Sequence, residues 1–130
     1  MTLVDSSAWI DFFRCQNLQH VTRLKSLIHQ NEELAICGVI MTEILQGIRD
    51  ENQYQMTKTR LDTLIFLPMT RTTYVTAANI YRTLRNKGLT IRKSIDCMIA
   101  SVALENNVFL LHNDRDFEAI ARHFPLKIIT

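Results

Sequence analysis

The amino-acid sequence predicts an α/β fold, a parallel sheet with helices on both faces. Short apolar segments alternate along the chain with longer segments whose apolar residues recur every three or four positions, the pattern of strands alternating with helices. Such alternation builds βαβ units, in which crossover helices cover the sheet. The 130 residues include 3 Gly and 2 Pro, without a repeat or a low-complexity segment. Little is therefore available to form a linker, and we expect one domain over residues 1–130.

Five short apolar segments are predicted to be the strands. The first ends at Asp5, Gly38 closes the second, Pro68 stops the third, and Asn113 and Asp114 bound the fourth. Gly, Pro, Asn and Asp favour turns over a continued strand. The predicted strands cover residues 3–4, 34–37, 65–67, 108–111 and 126–129.

The helices are predicted from apolar spacing and from residues typical of helix ends. Trp9 and Phe13 share one side of the first helix. Gly88 is placed to end a long helix, and Ser94 is placed to cap the start of the next. Residues 51–63 are polar but contain no helix breaker, so we expect a helix with a mostly solvated face. The predicted helices cover residues 6–14, 16–31, 39–50, 51–63, 70–87, 94–106 and 115–123.

Composition favours a reduced, cytoplasmic protein. The net charge of +2 is too small to indicate a nucleic-acid partner by itself. No apolar run approaches the ~20 residues that span a bilayer, and the first residues do not resemble a secretory leader. Cys15, Cys37 and Cys97 are odd in number, far apart and without a CxxC pair, which argues against disulfides and against a zinc site.

Five acids are predicted to meet at one edge of the sheet. Asp5 directly follows the first strand, and Glu43 lies in the first turns of the helix after the second. Asp96 opens the helix that leads into the fourth strand, which Asp114 and Asp116 follow. Taken singly, these residues can be helix caps or solvated side chains. Capping does not require that all of them share one edge, however, and ligands of open parallel sheets bind beyond the carboxyl ends of the strands.

Clustered carboxylates predict a divalent cation, because without one their mutual repulsion must raise their pKa values. Ligands that are all oxygens favour Mg²⁺ or Mn²⁺ over Zn²⁺, and such an ion suits phosphoryl chemistry. Ser6 and Ser7 are placed either to orient Asp5 and water in the site or to cap the first helix. His112 is interpreted as structural rather than as a substrate contact.

An acid-free basic stretch precedes Asp96. Two readings stay open for it: a solvated helix end with cations near the negative end of the helix dipole, or a rim that tracks the phosphates of a nucleic acid. Its members are Arg82, Arg85, Lys87, Arg92 and Lys93.

Four ordered motifs resemble those of PIN domain proteins and, more narrowly, of VapC toxins from type II toxin–antitoxin pairs. The resemblance covers the whole chain. It implies a five-stranded parallel sheet and Mg²⁺- or Mn²⁺-dependent endoribonuclease activity, commonly on tRNA or rRNA. The motifs are Val4-Asp5-Ser6-Ser7-Ala8-Trp9-Ile10, Glu43 with Gly47, Asp96 with Ile99-Ala100, and Leu111-His112-Asn113-Asp114-Arg115-Asp116-Phe117.

The resemblance also implies roles for single residues and partners. Ser7 matches the small hydroxyl residue that stands two positions after the first Asp. At His112 many relatives carry Thr or Ser, which leaves open whether Asp114 or Asp116 contacts the metal directly. A VapB-type antitoxin and a toxin homodimer are implied as partners. The implied acidic metal site consists of Asp5, Glu43, Asp96 and Asp114, with Asp116 as a further member.

Other functional classes fit the sequence less well. A phosphoacceptor signalling domain would need an acid closing the third strand, where Pro68-Met69-Thr70 follows instead. A dinucleotide-binding domain is excluded because Gly38, Gly47 and Gly88 cannot form GxGxxG. A metal-dependent nuclease that acts on DNA stays open, since nothing in the residues distinguishes RNA from DNA.

Overall fold

The computed structural model describes residues 1–129, and Thr130 lies outside the described residues. Five strands form one parallel sheet in the order β3-β2-β1-β4-β5. The predicted α/β class and parallel sheet are confirmed, and the predictions for residues 34–37 and 65–67 match to the residue. The strands are β1 (Thr2–Val4), β2 (Leu34–Cys37), β3 (Ile65–Leu67), β4 (Phe109–Leu111) and β5 (Lys127–Ile128).

Seven helices occur within residues 1–129. They match the seven predicted segments, with ends that differ by up to four residues. The largest difference is at the third helix, which ends at Gln46 rather than at Asp50. The Asp50 carboxylate accepts the Gln53 N–H at 2.9 Å and so caps the following helix instead. The helices are α1 (Ser6–Phe13), α2 (Gln19–His29), α3 (Gly38–Gln46), α4 (Glu51–Leu61), α5 (Arg71–Asn86), α6 (Ser94–Asn106) and α7 (Arg115–Ala121).

Of two helix ends predicted from single residues, one is confirmed and the other is not. Gly88 follows α5 with a φ of +80°, and the Leu89 N–H donates to the Leu84 carbonyl at 2.9 Å, which is the expected glycine-ended helix. The prediction that Ser94 caps α6 is wrong. Lys93 holds the cap position, and Ser94 is an exposed first helical residue.

The sheet topology creates a crevice beside β1. From β1 the chain moves outward through β2 to β3, and then returns to pair β4 with the other side of β1. The Asp5 N–H donates to the Leu111 carbonyl at 2.9 Å, just beyond the Val4–Leu111 pair. The residues that follow β1 and β4 therefore emerge side by side, at the position where open α/β sheets bind ligands.

The helix that carries Asp96 is held in the core. It packs against α5 and is buried on more sides than the single apolar stripe expected from its sequence, with Cys97, Ile99, Ala100 and Val102 all at 0% exposure. Such burial fixes the first turn of α6 relative to the sheet. Within residues 1–129 no helix is both long and apolar enough to cross a membrane, and all three cysteines are free thiols.

Candidate metal-dependent active site

Acidic side chains meet at the carboxyl edge of the sheet, as the sequence predicts. Asp5 follows β1 and caps α1, where its Oδ2 accepts the Ser7 N–H at 3.0 Å. Asp114 follows β4 and caps α7, where its Oδ1 accepts the Asp116 N–H at 3.0 Å. Capping therefore does occur, but it occupies only one oxygen of each carboxylate. The second oxygen of Asp5 has no hydrogen-bond partner within residues 1–129, and that of Asp114 lies 3.0 Å from Lys93 Nζ.

Three of the acids form a tight group. Asp96, Asp114 and Asp116 each offer a carboxylate oxygen, and these oxygens all lie within 4.8 Å of one another. Asp96 is 2% exposed and Asp116 is 8% exposed. Because the three side chains come from the starts of two helices, α6 and α7, the group is fixed by the packing of both.

Asp5 and Glu43 lie beside this group rather than within it. Asp5 is 3% exposed, and its charge contributes to the raised pKa of Asp96. Glu43, on α3, accepts the Ser6 hydroxyl at 2.9 Å, which holds its carboxylate toward the start of α1. The charges of Asp5 and Asp114 both raise the pKa of Glu43, after the larger effect of burial.

Burial makes ionisation of several of these acids unfavourable. It raises the pKa of Asp5 and Glu43, and it raises the pKa of Asp96 to about 8, with the Asp114 charge as the next cause. Burial also tends to raise the pKa of Asp114, but the hydrogen bond from a backbone N–H of α7 and the Lys93 ammonium outweigh this effect. The pKa of Asp114 is therefore below its usual value. The site therefore favours binding of positive charge.

The donor set fits a hard divalent ion. Asp5 Oδ1 and Asp96 Oδ2 are buried and lack a hydrogen-bond partner anywhere in residues 1–129. Nearly all buried polar atoms in proteins are partnered, so such atoms call for a ligand. Every side chain in the cluster offers oxygen, which suits Mg²⁺ or Mn²⁺.

Two cations of the basic stretch reach into the acids. Lys93 Nζ lies 3.0 Å from Asp114 Oδ2 and 3.9 Å from Asp96 Oδ1. Arg92 contacts Asp114 at 3.4 Å and Asp116 at 3.5 Å through its guanidinium, and its backbone N–H donates to Asp116 Oδ2 at 3.3 Å. These contacts tie the loop before α6 to the start of α7.

The other cations of the basic stretch lie elsewhere. Arg82 donates to Asn79 at 3.3 Å, and the Arg85 guanidinium lies 5.7 Å above the ring of Tyr81. These side chains and Lys87 are exposed at the end of α5. The structure thus divides the predicted basic stretch into one part that pairs with the acids and one part that faces solvent.

A hydrogen-bonded chain lies behind the site; its link from Ser7 to Asp5 is one of the two roles expected for Ser7, and the rest of it was not predicted from the sequence. The Ser7 hydroxyl donates to Asp5 Oδ2 and accepts the Asn113 N–H at 2.9 Å. The Asn113 side-chain amide donates to Asp11 Oδ2 at 2.9 Å, and the same oxygen lies 2.6 Å from His20 Nε2. The chain joins α1 and α2 to the residues after β4, and it fixes Ser7 as a support for Asp5. Asp11 and His20 carry no local motif that would have identified them.

His112 supports the backbone of the last acid. Its Nδ1 accepts the Asp114 N–H at 2.9 Å, and its ring lies 5.0 Å from that of Phe117. Its Nε2 is 3.2 Å from Glu118 Oε1, although the two atoms are not aligned for a hydrogen bond. Burial lowers the pKa of His112. The structural interpretation of His112 agrees with this geometry.

Two apolar grooves lie away from the acids. One of about 560 Å³ is lined by Trp9, Phe12 and Phe13 of α1 together with residues of α2, α4 and β3. The other, of about 630 Å³, lies between the ends of α1 and α3 and the exposed side of α4. Phe13 lines both, so the two grooves are neighbours on one side of the protein.

Comparison with known proteins gives the family to which this chain is similar. The profile of the PIN domain family matches residues 2–123. The chain is similar to Ribonuclease VapC11 of Mycobacterium tuberculosis, with 35% identity over 128 residues that cover 94% of this chain and 92% of that relative. A VapC ribonuclease of Mycobacterium bovis matches to the same extent.

Solved structures show the same fold. VapBC2 from Rickettsia felis, bound to a DNA fragment from their promoter, superposes with a TM-score of 0.77 at 19% identity, covering 98% of this chain and 96% of that one. VapC20 of Mycobacterium tuberculosis, a sarcin–ricin loop cleaving toxin, superposes with a TM-score of 0.70 at 14% identity, covering 95% and 96%. At these identities the likeness concerns the fold alone.

Proposed function

The chain belongs to the PIN domain family and, within it, to the VapC proteins, and we propose that it is a Mg²⁺- or Mn²⁺-dependent endoribonuclease toxin. The observation that carries the proposal is the group of three carboxylates within 4.8 Å, next to two buried carboxylate oxygens without partners in residues 1–129. Repulsion within such a cluster destabilises the fold. Acids with strongly shifted pKa values occur preferentially at functional sites.

The acids are the proposed ligands of the ion, and hydrogen bonds from neighbouring residues hold the acids in position. The proposed metal site comprises Asp96 and Asp114 with Asp5, Glu43 and Asp116 around them, and the first four named are the proposed catalytic residues. When bound, the ion supplies charge neutralisation at a phosphate and activates water for hydrolysis. The buried first turn of α6 holds Asp96 in a fixed position relative to the sheet.

The substrate is proposed to be RNA, and tRNA and rRNA are the classes that the family resemblance suggests. The matching relatives carry the name ribonuclease. We propose that the exposed cations at the end of α5 track a phosphate backbone, because the chain runs from them through one short connection into α6. The proposed substrate-binding residues are Ser7, Arg85, Lys87, Arg92 and Lys93, with Ser7 acting through its hold on Asp5.

The proposed partner is a VapB-type antitoxin that inhibits the toxin in the cytoplasm. The neighbouring solved structures include VapBC complexes. The paired apolar grooves around Phe13 suit an amphipathic partner segment laid across α1, since such segments bury apolar anchors in a groove. A homodimer is proposed as the toxin's own assembly.

The activity is tested by incubating the purified protein with total RNA, in Mg²⁺ and in chelator, beside the Asp96→Asn variant. We expect cleavage by the wild type in Mg²⁺ only. Full activity after exhaustive chelation would exclude the metal mechanism, and a variant that cuts at the wild-type rate would exclude the site. Single-stranded DNA of matched length is the control, and preferential DNA cleavage would replace the ribonuclease with a DNA nuclease.

A further inference from the structure

Lys93 lies where a cation would bind the acids. Its ammonium lies 3.0 Å from Asp114 Oδ2 and 3.9 Å from Asp96 Oδ1, so it approaches carboxylates from two different helices. Both acids belong to the group whose oxygens lie within 4.8 Å of one another. One positive charge of the chain itself thus offsets the repulsion between the acids.

The way in which Lys93 is held makes this contact reversible. Its side chain is 52% exposed, and a lysine ammonium is a compact, strongly hydrated charge on a flexible stem. The side chain can therefore swing into solvent without a change in the backbone. Arg92, by contrast, is also tied to Asp116 through its backbone N–H, which anchors the loop while Lys93 moves.

We propose that Lys93 is an internal counter-ion that occupies the acidic site of the metal-free protein and competes with the divalent ion for Asp96 and Asp114. This inference rests on the proposed metal-dependent function. The competition stabilises the metal-free fold and weakens metal binding. A lysine that serves only to contact substrate phosphate would leave metal affinity in the absence of RNA unchanged, so the two roles are separable.

Calorimetric titration of Mn²⁺ into RNA-free protein tests the proposal. In Lys93→Met and in Lys93→Gln, the dissociation constant for Mn²⁺ should fall roughly three- to fivefold, the upper part of the range expected when a partly exposed ion pair no longer has to be broken. The matched control is Lys25→Met, which removes the same charge from an exposed position on α2 and should leave the constant within about twofold of the wild type.

Thermal unfolding provides a second measurement. In chelator both Lys93 variants should melt below the wild type, since the acids lose their counter-ion, and saturating Mn²⁺ should remove the difference. If the wild type binds Mn²⁺ and both Lys93 variants bind it equally or more weakly, or if both melt like the wild type in chelator, the counter-ion role is wrong and the proposed function stands. If the wild type binds no Mn²⁺ at all, the counter-ion role and the proposed metal site are both wrong.

Discussion

Replacing Asp96 by Asn should stabilise the metal-free protein at high pH. Asp96 is 2% exposed, and its Oδ2 is unpartnered within the described residues. Burial, followed by the Asp114 charge, raises its pKa from 3.8 to about 8. Asn has nearly the same shape but carries no charge, so the substitution removes the cost of ionising a buried acid and changes little else.

The sign and size of the effect follow from proton linkage. Between the ordinary pKa of an unfolded Asp and the raised pKa of Asp96, the native state holds a proton that the unfolded chain has released. The free energy of unfolding therefore decreases as the pH rises through this window, by at most about 1.4 kcal/mol per pH unit. Over the whole window the ceiling is roughly 6 kcal/mol, and we expect at least about 2 kcal/mol of difference near pH 8.

Urea denaturation in chelator, at several pH values from about 4 to about 8, measures the effect. Wild type and Asp96→Asn should have similar stability at the acidic end and diverge toward the alkaline end. Glu32→Gln, at an exposed position between α2 and β2, controls for the loss of one negative charge. Added Mg²⁺ should then stabilise the wild type but not the Asp96 variant. A variant no more stable than the wild type near pH 8, or a difference in stability between the two that does not grow with pH over this window, would refute the reasoning.

Three further predictions concern the site and its surroundings. Asp114→Ala should reduce RNA cleavage more than Asp116→Ala, because Asp114 caps the start of α7 close behind β4, whereas Asp116 lies two residues further on, in the first turn of α7; parallel rate measurements decide, and the reverse order would transfer the metal contact to Asp116. Arg85→Ala and Lys87→Ala should each flatten the log–log salt dependence of RNA binding by roughly 0.7, and unchanged slopes would place the RNA on another surface. Ser7→Ala removes the hydroxyl that donates to Asp5 and should weaken Mg²⁺ binding roughly tenfold by calorimetry with little change in the melting temperature in chelator, whereas equal loss of both would make Ser7 merely structural.

Much of the fold was predictable because the position of a strand is indicated by a short run of neighbouring residues. Residues 34–37 and 65–67 are apolar runs closed by Gly38 and Pro68, and the structure reproduces both ranges. Helix ends were less certain because neighbouring caps compete. Asp50 satisfies the start of α4, so α3 stops four residues early. The order of the strands was not predictable from these patterns, since the return of β4 to the side of β1 depends on how the crossover helices pack.

The convergence of the acids was predictable because it needs only the rule that parallel strands end at one edge. The hydrogen-bonded chain behind the acids was not predictable, because it depends on contacts between residues far apart in sequence. Ser7 meets Asn113 across 106 positions, and Asn113 meets Asp11 across 102. Single polar residues of this kind have no spacing that distinguishes them from ordinary surface side chains.

Gly88 divides the basic stretch into two parts with different surroundings. In sequence its five cations form one group, and each of the two readings left open for it assigned the same role to all five. Gly88, with a φ of +80°, ends α5 and frees the following residues from the helix. The chain then passes close enough to α7 for the Arg92 N–H to donate to Asp116, and Lys93 enters the acids. The turn therefore separates exposed cations before Gly88 from Arg92 and Lys93, which contact the acids.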